Sequence, residues 1–131
     1  MAVARKGWTV IDCPDPDALA RFYADLLGGE PRRGAGGQEE PVSDRWVELT
    51  TEDGWKLAFQ RAEDFVPPRW PSGERSQQMH LDVYVDDIAA TEPAVLELGA
   101  RALDTDDEGG KRGFRVYADP AGHPFCLVRQ S

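Results

Sequence analysis

The sequence predicts an α+β fold: two βαβββ modules in one chain, with mixed sheets forming an open, barrel-like cleft. Three observations point there. Met79 to Asp87 alternates apolar Met79, Leu81, Val83 and Val85 with polar His80, Asp82 and Tyr84, the period of a strand with two unlike faces. Leu19, Phe22, Tyr23 and Leu26 recur at i, i+3, i+4 and i+7, one apolar stripe along a helix. Landmarks also repeat at matched offsets: Trp8 and His80 each stand seven residues before a turn acid, Asp15 and Asp87, while Ala58 and Cys126 each stand four residues after a turn glycine, Gly54 and Gly122.

Gly7 to Cys13 opens the chain as a strand. Asp15 follows as a side chain able to accept from the free amides of a helix's first turn, with Pro16 suited to the first helical position, and Gly28-Gly29 stops that helix. After a Gly-rich and acidic stretch from Gly34 to Ser43, alternation returns in Arg45 to Thr50 and, past the turn Glu52-Asp53-Gly54, in Trp55 to Arg61. Asp64 to Gln78 carries Pro67, Pro68, Pro71 and Gly73, which suits neither sheet nor helix. Beyond it the plan recurs: strand Met79–Val85, turn Asp86-Asp87, a helix to Leu98 stopped by Gly99, a short strand near Arg101–Leu103, then Phe114–Ala118 and His123–Arg129 around Asp119-Pro120-Ala121-Gly122. Pro93 inside a helix would cost roughly 3 kcal/mol, so the second helix is expected to start near Thr91, with Pro93 in its first turn. The whole forms a single domain, 1–131: module one spans 1–63, a linker 64–78, and module two 79–131.

With 131 residues the chain can bury one core. Its net charge of −9 opposes phosphate backbones and anionic membranes, so neither nucleic acid nor a membrane is an expected partner. The N-terminus has no apolar leader core and no run reaches transmembrane length, which suggests a soluble, cytoplasmic protein. Cys13 and Cys126 sit in apolar runs without the close Cys or His spacing of zinc sites, and read as reduced, buried thiols. The glycines at Gly34–Gly37 and Gly109-Gly110 lack the strand-to-helix context of phosphate loops, and Asp104 to Glu108 reads as solvated loop surface.

The chain resembles the vicinal oxygen chelate superfamily, which includes glyoxalase I, extradiol dioxygenases, and bleomycin and fosfomycin resistance proteins. The resemblance rests on Asp15-Pro16 to Phe22-Tyr23 with Leu26-Leu27-Gly28, on His80-Leu81-Asp82-Val83 with Val85-Asp86-Asp87, on Leu98-Gly99-Ala100, and on Asp119-Pro120-Ala121-Gly122-His123-Pro124-Phe125. More narrowly, Pro67-Pro68-Arg69-Trp70-Pro71 ahead of Gln77-Gln78-Met79-His80-Leu81-Asp82 is similar to the glyoxalase-like domain proteins common in actinobacteria. The fold hosts many activities.

Metal-dependent relatives take ligands from the first and last strands of each module. The resemblance carries those positions onto Trp8, Ala58, His80 and Cys126, of which His80 alone is a usual ligand type. Trp8 and Ala58 have no donor to offer, and Cys126 would be a soft thiolate. Asp82 points the same way as His80, yet same-face neighbours start about 6.6 Å apart and rarely share an ion unless they converge. No metal or other cofactor is therefore expected. The resemblance implies a metal-independent small-molecule binder, its ligand held in the cleft between modules by Trp8, Asp12, Glu48, Ala58, His80, Asp82, Tyr84 and Cys126, and a homodimer. The alternative is an enzyme: a lyase, isomerase or dioxygenase, or a metal-free acid-base catalyst using His80 with Asp82. Trp46 and Trp70 are left open as cavity residues, with Trp70 expected either to cap the cavity mouth or to pin the linker to the body. His123 reads as a turn residue.

Overall fold

A computed structural model describes all residues except 1, 4, 35–43, 72, 74, 76, 77 and 131, so most of the Gly-rich acidic stretch lies outside the described residues. The chain groups into two compact units, Met1–Phe65 and Val66–Ser131. The first contains β1 (Thr9–Cys13), α1 (Pro16–Leu27), β2 (Arg32–Arg33), β3 (Trp46–Thr50) and β4 (Lys56–Arg61), with the strands in the order β1-β4-β3-β2. The second contains β5 (Leu81–Val85), α2 (Ile88–Glu97), β6 (Arg101–Asp104), β7 (Phe114–Ala118) and β8 (Pro124–Arg129), in the order β5-β8-β7-β6. In each unit the first strand runs parallel to the last and the remaining pairs are antiparallel. A parallel pair needs a long crossover, which the helix provides. Both mixed sheets keep two open edges, so neither closes into a barrel.

Local chemistry explains the helix limits. Asp15 accepts from the Ala18 amide at 3.2 Å and Asp87 from the Ala90 amide at 3.1 Å, capping α1 and α2 alike. Gly28 (φ +82°) and Gly29 (φ +101°) end α1 in a conformation that side chains rarely adopt, and a Cβ on Gly29 would run into the Thr50 carbonyl. In the first unit Leu19, Phe22 and Tyr23 are buried with Val47, Leu49, Leu57 and Phe59, and Tyr23 stacks on Phe59 at 5.7 Å. In the second, Val83, Ile88, Val95 and Leu127 are buried with Tyr117, which stacks on Phe125 at 5.8 Å.

Three expectations need correction, and one strand went unrecognised in the sequence. α2 starts at Ile88 rather than near Thr91, because Asp87 caps it, and Pro93 lies within the helix on an exposed position where solvent can replace the missing hydrogen bond. β5 begins at Leu81, where pairing with Phe125 starts, so Met79 lies outside the ladder and is 80% exposed instead of extending the apolar face. β2, a two-residue strand, carried no alternation long enough to recognise. Finally, Asp104 to Glu108 is more than solvated surface. Asp104 pairs with Arg112 at 3.2 Å and Asp107 with Arg115 at 2.7 Å, and those guanidinium hydrogen bonds hold both carboxyls below their usual range. Arg115 also reaches Glu92 of α2 at 3.2 Å, and Glu92 accepts the Tyr117 hydroxyl at 2.8 Å, so the run helps tie the helix to β7. No helix of the described residues is long and apolar enough to cross a membrane.

Candidate functional site

Strand alternation gives the second sheet one face bearing Val83 and Leu127 and an opposite face built from cross-strand rows. One row is Asp82, Cys126 and Val116, and the next is Tyr84, Val128 and Phe114. This second face frames a cavity of about 350 Å³, within the range of small-molecule sites. Trp70, Phe114, Val116, Pro124 and Val128 supply apolar wall. His80, Asp82 and Cys126 supply the polar groups. Trp70, from the proline-rich segment, is thus a cavity residue.

The polar groups converge. His80 Nε2 lies 3.3 Å from Asp82 Oδ1, and the ligand-capable atoms of His80, Asp82 and Cys126 all fall within 4.8 Å of one another. Strand rise alone keeps His80 and Asp82 farther apart, but His80 precedes the first ladder residue of β5 and its long imidazole leans along the chain. Cys126 joins them because it stands directly opposite Asp82 in the parallel β5–β8 register. His80 and Asp82 side chains are 41% and 55% exposed, whereas Cys126 is 8% exposed and sits deeper. Burial first, then the charge of Asp82 and a hydrogen bond to it, push the Cys126 thiol up to about 11, so it stays neutral and donates toward the carboxylate. Cys126 is a buried thiol as expected, but one facing a polar cluster instead of only apolar neighbours. Neither Cys13 nor Cys126 forms a disulfide.

Four of the other sequence-derived site residues fall on the first unit and obey the same geometry. Val10, Ala58 and Glu48 form one row, and Asp12, Gln60 and Trp46 the next. Lys56, on the Ala58 face of β4, has its Nζ 5.5 Å over the Trp8 ring, which places Trp8 on that face. Ala58 is fully buried, Asp12 is exposed, and half-buried Glu48 accepts the Trp46 indole N–H at 2.9 Å. Trp8, Asp12, Glu48 and Ala58 therefore share one face of the first sheet. On the second sheet, Tyr84 shares the face of Asp82 but is 66% exposed and outside the cavity lining. His123 holds the turn before β8, with Nδ1 2.9 Å from the fully buried Asp119 carboxylate.

The equivalent rows differ in chemistry. Where the second unit has His80, Asp82 and Cys126, the first has Trp8, Val10 and Ala58, with no metal donor among them. Within the second unit the trio offers one nitrogen, one oxygen and one sulfur, a mixture suited to zinc if the thiol ionised.

The glyoxalase-like domain profile matches residues 8–128. No curated protein matches the sequence. Among solved structures, the chain is similar to the fosfomycin resistance protein FosX from Mesorhizobium loti (14% identity, TM-score 0.67, 99% of this chain and 94% of that one). It is also similar to a glyoxalase/bleomycin resistance protein/dioxygenase family enzyme from Burkholderia phytofirmans PsJN (17% identity, TM-score 0.62, covering 93% and 95%). A third is the bleomycin-binding protein of bleomycin-producing Streptomyces verticillus, complexed with copper(II)-bleomycin (18% identity, TM-score 0.55, covering both chains fully). At these identities the likeness is one of fold.

Proposed function

The chain belongs to the glyoxalase-like domain family, and on that premise we propose that it is a metal-independent small-molecule-binding protein. The observation that carries the reading is the cavity of about 350 Å³ on the second sheet, mostly apolar and with one compact polar cluster. An apolar or aromatic ligand body packs on Trp70, Phe114 and Val116, while a polar substituent meets His80 and Asp82. Metal independence is supported by Trp8 and Ala58, which have no donor to offer. Among the similar structures is a bleomycin-binding protein, which is in keeping with sequestration as the role. By the same family likeness we propose a homodimer as the working state.

The test uses the uncharged apolar dye N-phenyl-1-naphthylamine in the presence of a chelator. Saturable binding that survives chelation and is abolished by Val116→Trp, which fills the cavity, is the expected result. Stoichiometric divalent metal in the purified protein, with binding lost on chelation, would overturn it. The 3.3 Å contact between His80 and Asp82 favours a second reading, in which the carboxylate orients the imidazole as a metal-free acid-base catalyst. The His80→Ala variant separates the two once a ligand is in hand: a binder loses affinity modestly, whereas a catalyst loses turnover and still binds.

A further inference from the structure

The second unit contains another concavity, of about 390 Å³, between the proline-rich segment, β6 and the turn before β8. Arg69, Arg75 and Arg101 line it. Six other arginines find carboxylates, Arg21, Arg33, Arg45, Arg61, Arg112 and Arg115 forming ion pairs of 2.6 to 3.8 Å, while Arg5, Arg32 and Arg129 form none among the described residues. Among the described residues, Arg69, Arg75 and Arg101 have no carboxylate within 4.0 Å, in a chain that carries a net charge of −9. The carboxylate in the lining, Asp119, is already committed. Its side chain is fully buried, and its oxygens accept from the Ala121 and His123 amides at 2.9 and 3.0 Å and contact His123 Nδ1 at 2.9 Å. Three arginines thus line one concavity in which, among the described residues, the carboxylate of Asp119 is turned to internal bonds.

The walls are set by close packing. Gly122 leaves so little space that a Cβ there would come within 2.7 Å of Pro67, and the Arg69 amide donates to the Arg75 carbonyl at 2.5 Å. Pro67, Pro68, Trp70 and Leu103 add apolar surface beside the arginines. Guanidinium groups match the oxygens of phosphate in paired, charge-assisted hydrogen bonds. We propose that this concavity is a second binding site, for a small phosphate monoester, whose phosphoryl group meets Arg69, Arg75 and Arg101 while its organic body lies on Trp70 and the prolines. It shares Trp70 with the wall of the His80 cavity, but its arginines lie outside that cavity and it does not depend on that cavity's function.

Phenyl phosphate titrated into the full-length protein, followed by calorimetry and tryptophan fluorescence, tests it. Saturable one-to-one binding is expected, with phenol not binding and inorganic phosphate binding more weakly. Arg101→Gln lies on an edge strand and leaves the fold intact by circular dichroism, and it weakens binding about tenfold, the size of a charge-assisted hydrogen bond. Adding Arg69→Gln removes saturable binding, and raising salt weakens the wild-type affinity. Binding that survives the double substitution, that ignores salt, or that phenol reproduces would overturn the proposal, as would no saturable binding at all. Phosphate binding as tightly as phenyl phosphate would overturn the monoester assignment in favour of free phosphate.

Discussion

Asp82→Asn is the sharpest probe of the polar cluster. The thiol of Cys126 stands at about 11 against an ordinary 9.0, with burial the largest cause and the charge and hydrogen bond of Asp82 next. Asparagine keeps the size of the side chain and removes the charge, so access to Cys126 is unchanged and only the electrostatic part of the shift disappears. The midpoint therefore falls below 11 yet stays above 9.0, because burial remains. At pH 8 a thiol of pKa 11 is about one part in a thousand thiolate, so each unit of decrease raises the reactive fraction about tenfold. Alkylation by iodoacetamide across a pH series, read by peptide mass so that Cys126 and buried Cys13 are counted separately, measures this. An unchanged midpoint for Cys126 in the variant would refute the juxtaposition of Asp82 and Cys126, and with it the cluster.

Tyr117, fully buried, is also raised above its ordinary 10.0, chiefly by burial, so both it and Cys126 ionise more readily in the unfolded chain than in the folded one. The stability they contribute is complete below pH 9 and is lost as pH rises toward 11 and beyond, so the melting temperature should fall over that window and fall less steeply in Tyr117→Phe. Asp15→Ala and Asp87→Ala each remove one helix cap and should each cost about 1 kcal/mol in denaturant unfolding, the matched loss expected of matched positions. Gly29→Ala combines a disfavoured backbone with a collision against the Thr50 carbonyl and should destabilise by roughly 2 kcal/mol or more, whereas Gly73→Ala, with open space around it, should change little.

The sequence by itself determined the two-module plan. Alternation, the Asp15 and Asp87 caps, and the turn glycines Gly54 and Gly122 are local signals, settled by residues only a few positions apart, and the offsets that align Trp8 with His80 and Ala58 with Cys126 reappear as the paired rows Val10–Ala58 and Asp82–Cys126. The faces followed from the same period, which is why Trp8, Asp12, Glu48 and Ala58 share one side of their sheet. Short or irregular pieces were not legible: β2 is too brief to show a period, and Pro93 outweighed in the sequence a cap that the helix in fact uses. The site was legible only as single residues. That Asp82 faces Cys126, that His80 folds onto Asp82, that Glu92 meets Tyr117, and that three arginines share a concavity all depend on strands and loops distant in the chain arriving side by side. Those meetings are set by register and by burial, which lower or raise the energy of a charge according to what surrounds it, and only the tertiary structure fixes the surroundings.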